Sequence, residues 1–133
     1  MYRASATWEQ EFRFEGKGNG GVAVAVDGDG KAANSPMELV LVALCGCTGY
    51  DVVSILKKKR EPLKGLEVSA EAEKAPHSPR VYTAIKLLYR ISGKVSRKAA
   101  EDAVRLSAEK YCSVSAMLSK TARITYEILL ENQ

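Results

Sequence analysis

The chain has 133 residues, 46% hydrophobic and 27% charged, with a formal net charge of +4. That length fits one domain with an ordinary soluble core. A charge of +4 is too small to imply nucleic acid without a focused basic patch. Three cysteines, one histidine and a first segment without a basic-then-apolar pattern point to reduced thiols in a cytoplasm rather than a disulfide framework.

Residues 2–8 alternate, with Tyr2, Ala4, Ala6 and Trp8 on one side and Arg3, Ser5 and Thr7 on the other, which predicts a strand. Phe12 and Phe14 flank Arg13 in a second strand, and residues 22–26 form a third. The run Gly16-Lys17-Gly18-Asn19-Gly20-Gly21 between them matches G-x-G-x-x-G. A strand follows it, so no helix N-terminus is there to hold a pyrophosphate, and the run reads as a turn. Asp27-Gly28-Asp29-Gly30 supplies a second turn.

A helix starts at Ser35-Pro36-Met37-Glu38. Ser35 caps it, Pro36 suits the first helical position and Glu38 completes a capping box. The helix runs through Leu56, apolar on nearly every face, into Lys57-Lys58-Lys59-Arg60, cations that complement its C-terminal dipole. Its longest unbroken apolar run, residues 39–45, falls short of the roughly 20 residues of a membrane span. No membrane partner is expected. A helix apolar all round must be covered all round; one sheet covers one side, so a second copy of the chain is expected on the other.

Strands are predicted over 65–73 and 80–92, joined by Ala75-Pro76-His77-Ser78-Pro79, with His77 a loop residue. In the second strand Val81, Thr83, Ile85, Leu87, Tyr89 and Ile91 share a face. Ser96 caps a second helix reaching about Tyr111, and Ala116, Met117 and Leu118 continue helically or after a break. A last strand carries Ala122, Ile124, Tyr126 and Ile128. The order βββ-α-ββ-α-β predicts an α+β fold, a single domain over 1–133 with mostly antiparallel sheets on two helices.

Cys47 and Cys112 are the residues best placed for chemistry. Cys45 and Cys47 sit two apart on a helix and project about 200° apart, so Cys45 reads as core and no metal site is expected. On residue type alone Cys47 and Cys112 remain either small hydrophobes or a redox pair.

The segments Ser35-Pro36-Met37-Glu38-Leu39-Val40-Leu41-Val42-Ala43-Leu44-Cys45-Gly46-Cys47-Thr48 and Ala108-Glu109-Lys110-Tyr111-Cys112-Ser113-Val114-Ser115 resemble the OsmC/Ohr family, closest to its shorter OsmC-like branch. The resemblance implies an intertwined homodimer with active sites at the subunit interface. It also implies a cofactor-free peroxidase acting on organic hydroperoxides, and less well on hydrogen peroxide. Cys47 would be the peroxidatic residue and Cys112 the resolving one, their disulfide reduced by a dithiol such as a lipoyl group or by small thiols. Joining them requires Cα atoms within about 7 Å.

In the family an Arg–Glu pair activates the thiol, the Glu directly following the helix-starting Pro. Here Met37 holds that position, and Glu38 points about 100° away around the helix. Arg13 is the nearest candidate for the Arg, and Ser113 stands where the second motif usually has Pro. These departures keep open a second reading: a non-peroxidatic relative that binds a small apolar ligand at the dimer interface.

Overall fold

A computed structural model describes residues 1–131. Its contacts fall into two compact units, Met1–Val42 and Ala43–Gln133. The long helix α1 (Pro36–Lys58) runs across the division.

In the first unit, β1 (Ser5–Gln10), β2 (Arg13–Lys17) and β3 (Ala23–Asp27) form an antiparallel meander. Trp8 stands opposite Phe14. The glycine run closes the β2–β3 turn through Gly21 N–H to Gly18 C=O at 3.0 Å. The Asp27 carboxylate accepts N–H bonds from Ala32 (2.9 Å), Asp29 (2.9 Å) and Lys31 (3.3 Å). Those bonds, Ala32 foremost, hold its carboxyl below the usual range and fold the loop that leads into α1. The capping box forms as expected. Ser35 Oγ accepts from Glu38 N–H at 3.1 Å, and Glu38 Oε1 accepts from Ser35 N–H at 2.8 Å.

The second unit holds the core. Strands β4 (Leu63–Lys74), β5 (Tyr82–Gly93) and β6 (Arg123–Glu131) lie in that order, with β5 central. Its buried side chains include Ile85, Leu87, Tyr89 and Ile91. The expected face is kept from Ile85 onward but not before it, where Tyr82 is buried and Val81 and Thr83 are exposed. Pairing slips at Glu73/Lys74, and an irregularity of that kind turns the remaining side chains to the other face.

One further feature departs from expectation, and the expected helix resolves into pieces. Strand β6 pairs with β5 in parallel, because the helical excursion between them returns the chain to the same end of the sheet. That excursion is not one helix. Helix α2 (Arg97–Leu106), capped by Ser96, passes into a π-turn (Ser107–Tyr111), breaks at the extended Cys112 and restarts as α3 (Ser113–Leu118). The break follows from the bond between Cys112 N–H and Ser107 C=O at 2.9 Å, which widens the last turn to the i→i+5 spacing.

In the second unit α1 buries Leu44, Thr48, Val52 and Leu56, one row four residues apart. By length and composition the helix as a whole is apolar enough to cross a membrane, more than its short unbroken run suggests. Its other residues are half-buried or exposed.

Gly93 shows how tightly the β4–β5 end is built. Its φ is +107°, and an added Cβ would strike the Pro62 carbonyl oxygen and lie 2.9 Å from Lys64 N. Gly93→Ala is expected to lower stability by at least about 2 kcal/mol in urea unfolding. At Gly18 a Cβ meets nothing within 4 Å, and Gly18→Ala should change stability by less than about 0.5 kcal/mol. Equal effects would contradict this packing.

Candidate active site

The two thiols singled out by sequence meet. The Cys112 S–H donates a hydrogen bond to the Cys47 sulfur. Cys47 is half-buried on α1, whereas Cys112 is 3% exposed at the junction of the π-turn and α3. The backbone holds Cys112 from both sides: its N–H is bonded to Ser107, and its Sγ accepts from Ser115 N–H at 3.3 Å. Burial pushes the Cys112 thiol well above its ordinary range. The Ser115 bond pulls the other way; the bond to Cys47 and the negative charge of Asp51 add to the rise. The pair is therefore asymmetric, with Cys112 holding its proton and offering it to Cys47.

Cys45 stands apart. It is half-buried, its thiol is raised by burial, and it lies within electrostatic reach of Tyr89 on β5. That fits the packing role expected of it. Among the described residues no three His, Cys, Asp or Glu side chains gather in a way that could hold a metal ion.

Behind the thiols runs a chain of hydroxyl groups that sequence reasoning missed. Tyr89 Oη lies 2.7 Å from Thr48 Oγ1, Thr48 Oγ1 lies 2.7 Å from Ser107 Oγ, and Ser107 Oγ lies 2.9 Å from Asp51 Oδ2. Tyr89, Thr48 and Ser107 are all buried. A carboxylate only accepts, and each hydroxyl has one proton. Ser107 therefore donates to Asp51, Thr48 to Ser107, and Tyr89 to Thr48. Burial lifts the Tyr89 hydroxyl to about 12, so its proton stays in place at neutral pH. A signal was present: Thr48 interrupts the buried apolar row of α1, and a buried hydroxyl requires a partner.

Two cavities flank this cluster. One of about 160 Å³ is lined by Thr48, Leu87, Tyr89, Ser115, Ile124 and Tyr126, among others. The other, an open groove of about 400 Å³, takes in Tyr50, Asp51, Ile55, Lys58, Lys59 and Tyr111.

The candidate activating residues are engaged locally, in the first unit. Arg13 Nη2 pairs with Glu11 Oε1 at 2.9 Å, and the Glu38 carboxylate serves the capping box. Met37 is half-buried in the first turn of α1. His77 is exposed in the β4–β5 loop, as expected.

Comparison with known proteins bears on the same residues. The family model described as "OsmC-like protein" matches residues 28–127, a span that contains α1, Cys47, Asp51 and Cys112 and begins after Arg13. Protein YhfA of Escherichia coli (strain K12) is 47% identical over 100 residues, 73% of this chain and 75% of its own. A hypothetical protein from Aquifex aeolicus VF5, known as a crystal structure, is 34% identical over 98% of both chains with a TM-score of 0.86. The organic hydroperoxide resistance protein OhrB of Bacillus subtilis shares the fold, with a TM-score of 0.69 over 96% of this chain and 97% of its own, at 13% identity. With most of its length matched, both helical cysteine segments included, the chain belongs to the OsmC-like protein family.

Proposed function

We propose that the protein is a thiol-dependent peroxidase that reduces organic hydroperoxides, and hydrogen peroxide less well, through Cys47 and Cys112. The observation that carries this reading is the hydrogen bond from the buried Cys112 thiol to the more open Cys47 sulfur. It supports a pair of thiols within hydrogen-bonding reach, one shielded and one more open.

The chemistry follows from that inequality. The Cys47 sulfur attacks the outer oxygen of the peroxide and the O–O bond breaks; the alkoxide takes up the thiol proton and leaves as an alcohol. Cys47 is oxidised to a sulfenic acid. The Cys112 sulfur then attacks the Cys47 sulfur, an S–S bond forms, and the departing hydroxide takes the Cys112 proton to become water. An external dithiol or two thiols return the pair to its reduced state by exchange. A cytoplasm supplies such reductants.

The working form is proposed to be a homodimer. Trp8, Phe12, Val42, Tyr50 and Met117 are exposed on the isolated chain, and 22% of the most apolar window of α1 is buried. Surface of that kind is normally covered.

A second reading has its own observation. Glu38 is engaged by the cap of α1 and Arg13 by Glu11, an arrangement that fits a relative that binds a small apolar ligand without turnover. The two readings separate on kinetics. With a dithiol present the protein should consume cumene hydroperoxide catalytically, and Cys47→Ser should slow this by at least about 100-fold. Cys112→Ser should consume one equivalent and retain a sulfenic acid that dimedone labels. Peroxide consumption no faster than in Cys47→Ser would favour the binding reading. Sedimentation equilibrium should return twice the 14.5 kDa chain mass, and a monomer at micromolar concentration would refute the dimer.

A further inference from the structure

Asp51 sits one turn after Cys47 on the same face of α1. It is half-buried, and its placement is not left to a free rotamer. Ser107 holds it at 2.9 Å, and Ser107 is in turn fixed by Thr48 and Tyr89. The same Ser107 accepts the Cys112 N–H on its carbonyl. One buried residue therefore positions both the carboxylate and the resolving cysteine. We propose that Asp51 is a positioning residue for the thiol pair: its carboxylate, anchored by the same Ser107 that accepts the Cys112 N–H, biases which of the two sulfurs reacts first with an electrophile.

The physical basis is a count of charges. The site holds two sulfurs and one carboxylate within electrostatic reach of one another. A second anion near Asp51 is disfavoured, so Cys112 keeps its proton and serves as donor to Cys47. The chain of donors polarised toward Asp51 strengthens the arrangement, since each bond in it reinforces the next. Removing the carboxylate takes away its share of the asymmetry without touching either sulfur, and burial keeps the rest.

The groups that face Asp51 are few. Cys47 is on its own helix, Cys112 follows the π-turn, and Tyr89 closes the hydroxyl chain from β5. On the groove side stand Lys58, Lys59 and Tyr111. Lys59 is paired with Asp102 at 3.8 Å. Tyr89 keeps its proton through neutral pH, so Asp51 is the anion the hydroxyl chain delivers to the site.

This inference deepens the peroxidase reading and rests on it only for its consequence, because its test involves no peroxide. Cysteine labelled with 13C at Cβ reports the protonation of each thiol by NMR, whatever its exposure. In the reduced protein the Cys112 resonance should titrate with a midpoint well above that of free cysteine. In Asp51→Asn, which keeps an acceptor for Ser107 but no charge, that midpoint should fall by at least about half a unit, a threefold change. Ser107→Ala keeps the charge but frees it, and should give a smaller fall in the same direction. Should Asp51→Asn fail to fold, the Ser107→Ala arm decides alone. A Cys112 midpoint that is unchanged or higher in the folded variants would overturn the proposal and leave Asp51 a structural acceptor. The expected midpoint shift in a protein whose native form turns over no hydroperoxide would instead count against the peroxidase reading alone.

Discussion

The hydroxyl of Thr48 is the point on which the C-terminal unit turns. It lies 2.7 Å from Tyr89 Oη and 2.7 Å from Ser107 Oγ, so one side chain of α1 ties the central strand of the sheet to the π-turn. All three groups are buried and every proton among them is accounted for, so loss of one partner leaves the others unsatisfied at a cost of about 1–3 kcal/mol each. This clamp fixes the rotation of α1 against the sheet. Cys47, the residue before it on α1, is thereby held against the break in the opposite helical segment where Cys112 emerges.

The proposed thiol pair depends on that break. A regular helix through residues 107–118 would carry Cys112 around its axis in ordinary steps, with its N–H bonded four residues back. The π-turn instead spends the Cys112 N–H on Ser107 five residues back, and the extended backbone at Cys112, φ −76° and ψ 104°, presents its sulfur to Cys47. π-turns recur at functional sites because they re-aim one side chain without dismantling the helix. Burial then keeps the proton on Cys112, against the pull of the Ser115 N–H.

Much of this was legible in the sequence. The capping box at Ser35 and Glu38, the glycine turn after β2, the Ser96 cap and the order of strands and helices all follow from local chemistry, and the structure bears them out. What stayed hidden is what tertiary contacts decide. The slip beside Glu73 and Lys74 depends on pairing with β5, and the parallel β5–β6 pair depends on where the excursion returns the chain. The π-turn depends on Ser107 finding partners on α1. At the site the sequence marked both cysteines but passed over Thr48, Asp51, Tyr89 and Ser107, whose roles exist only once three elements meet. Arg13 and Glu38, named by resemblance, are held by neighbours a few residues away.

The central claim is that Cys47 and Cys112 form one redox unit. The most direct test is peptide mass spectrometry of the fully reduced protein, quenched within seconds of adding one equivalent of cumene hydroperoxide. A mass loss of about two daltons is expected, mapped to a Cys47–Cys112 disulfide with Cys45 still free. An unchanged mass after minutes, or a disulfide that includes Cys45, would contradict it.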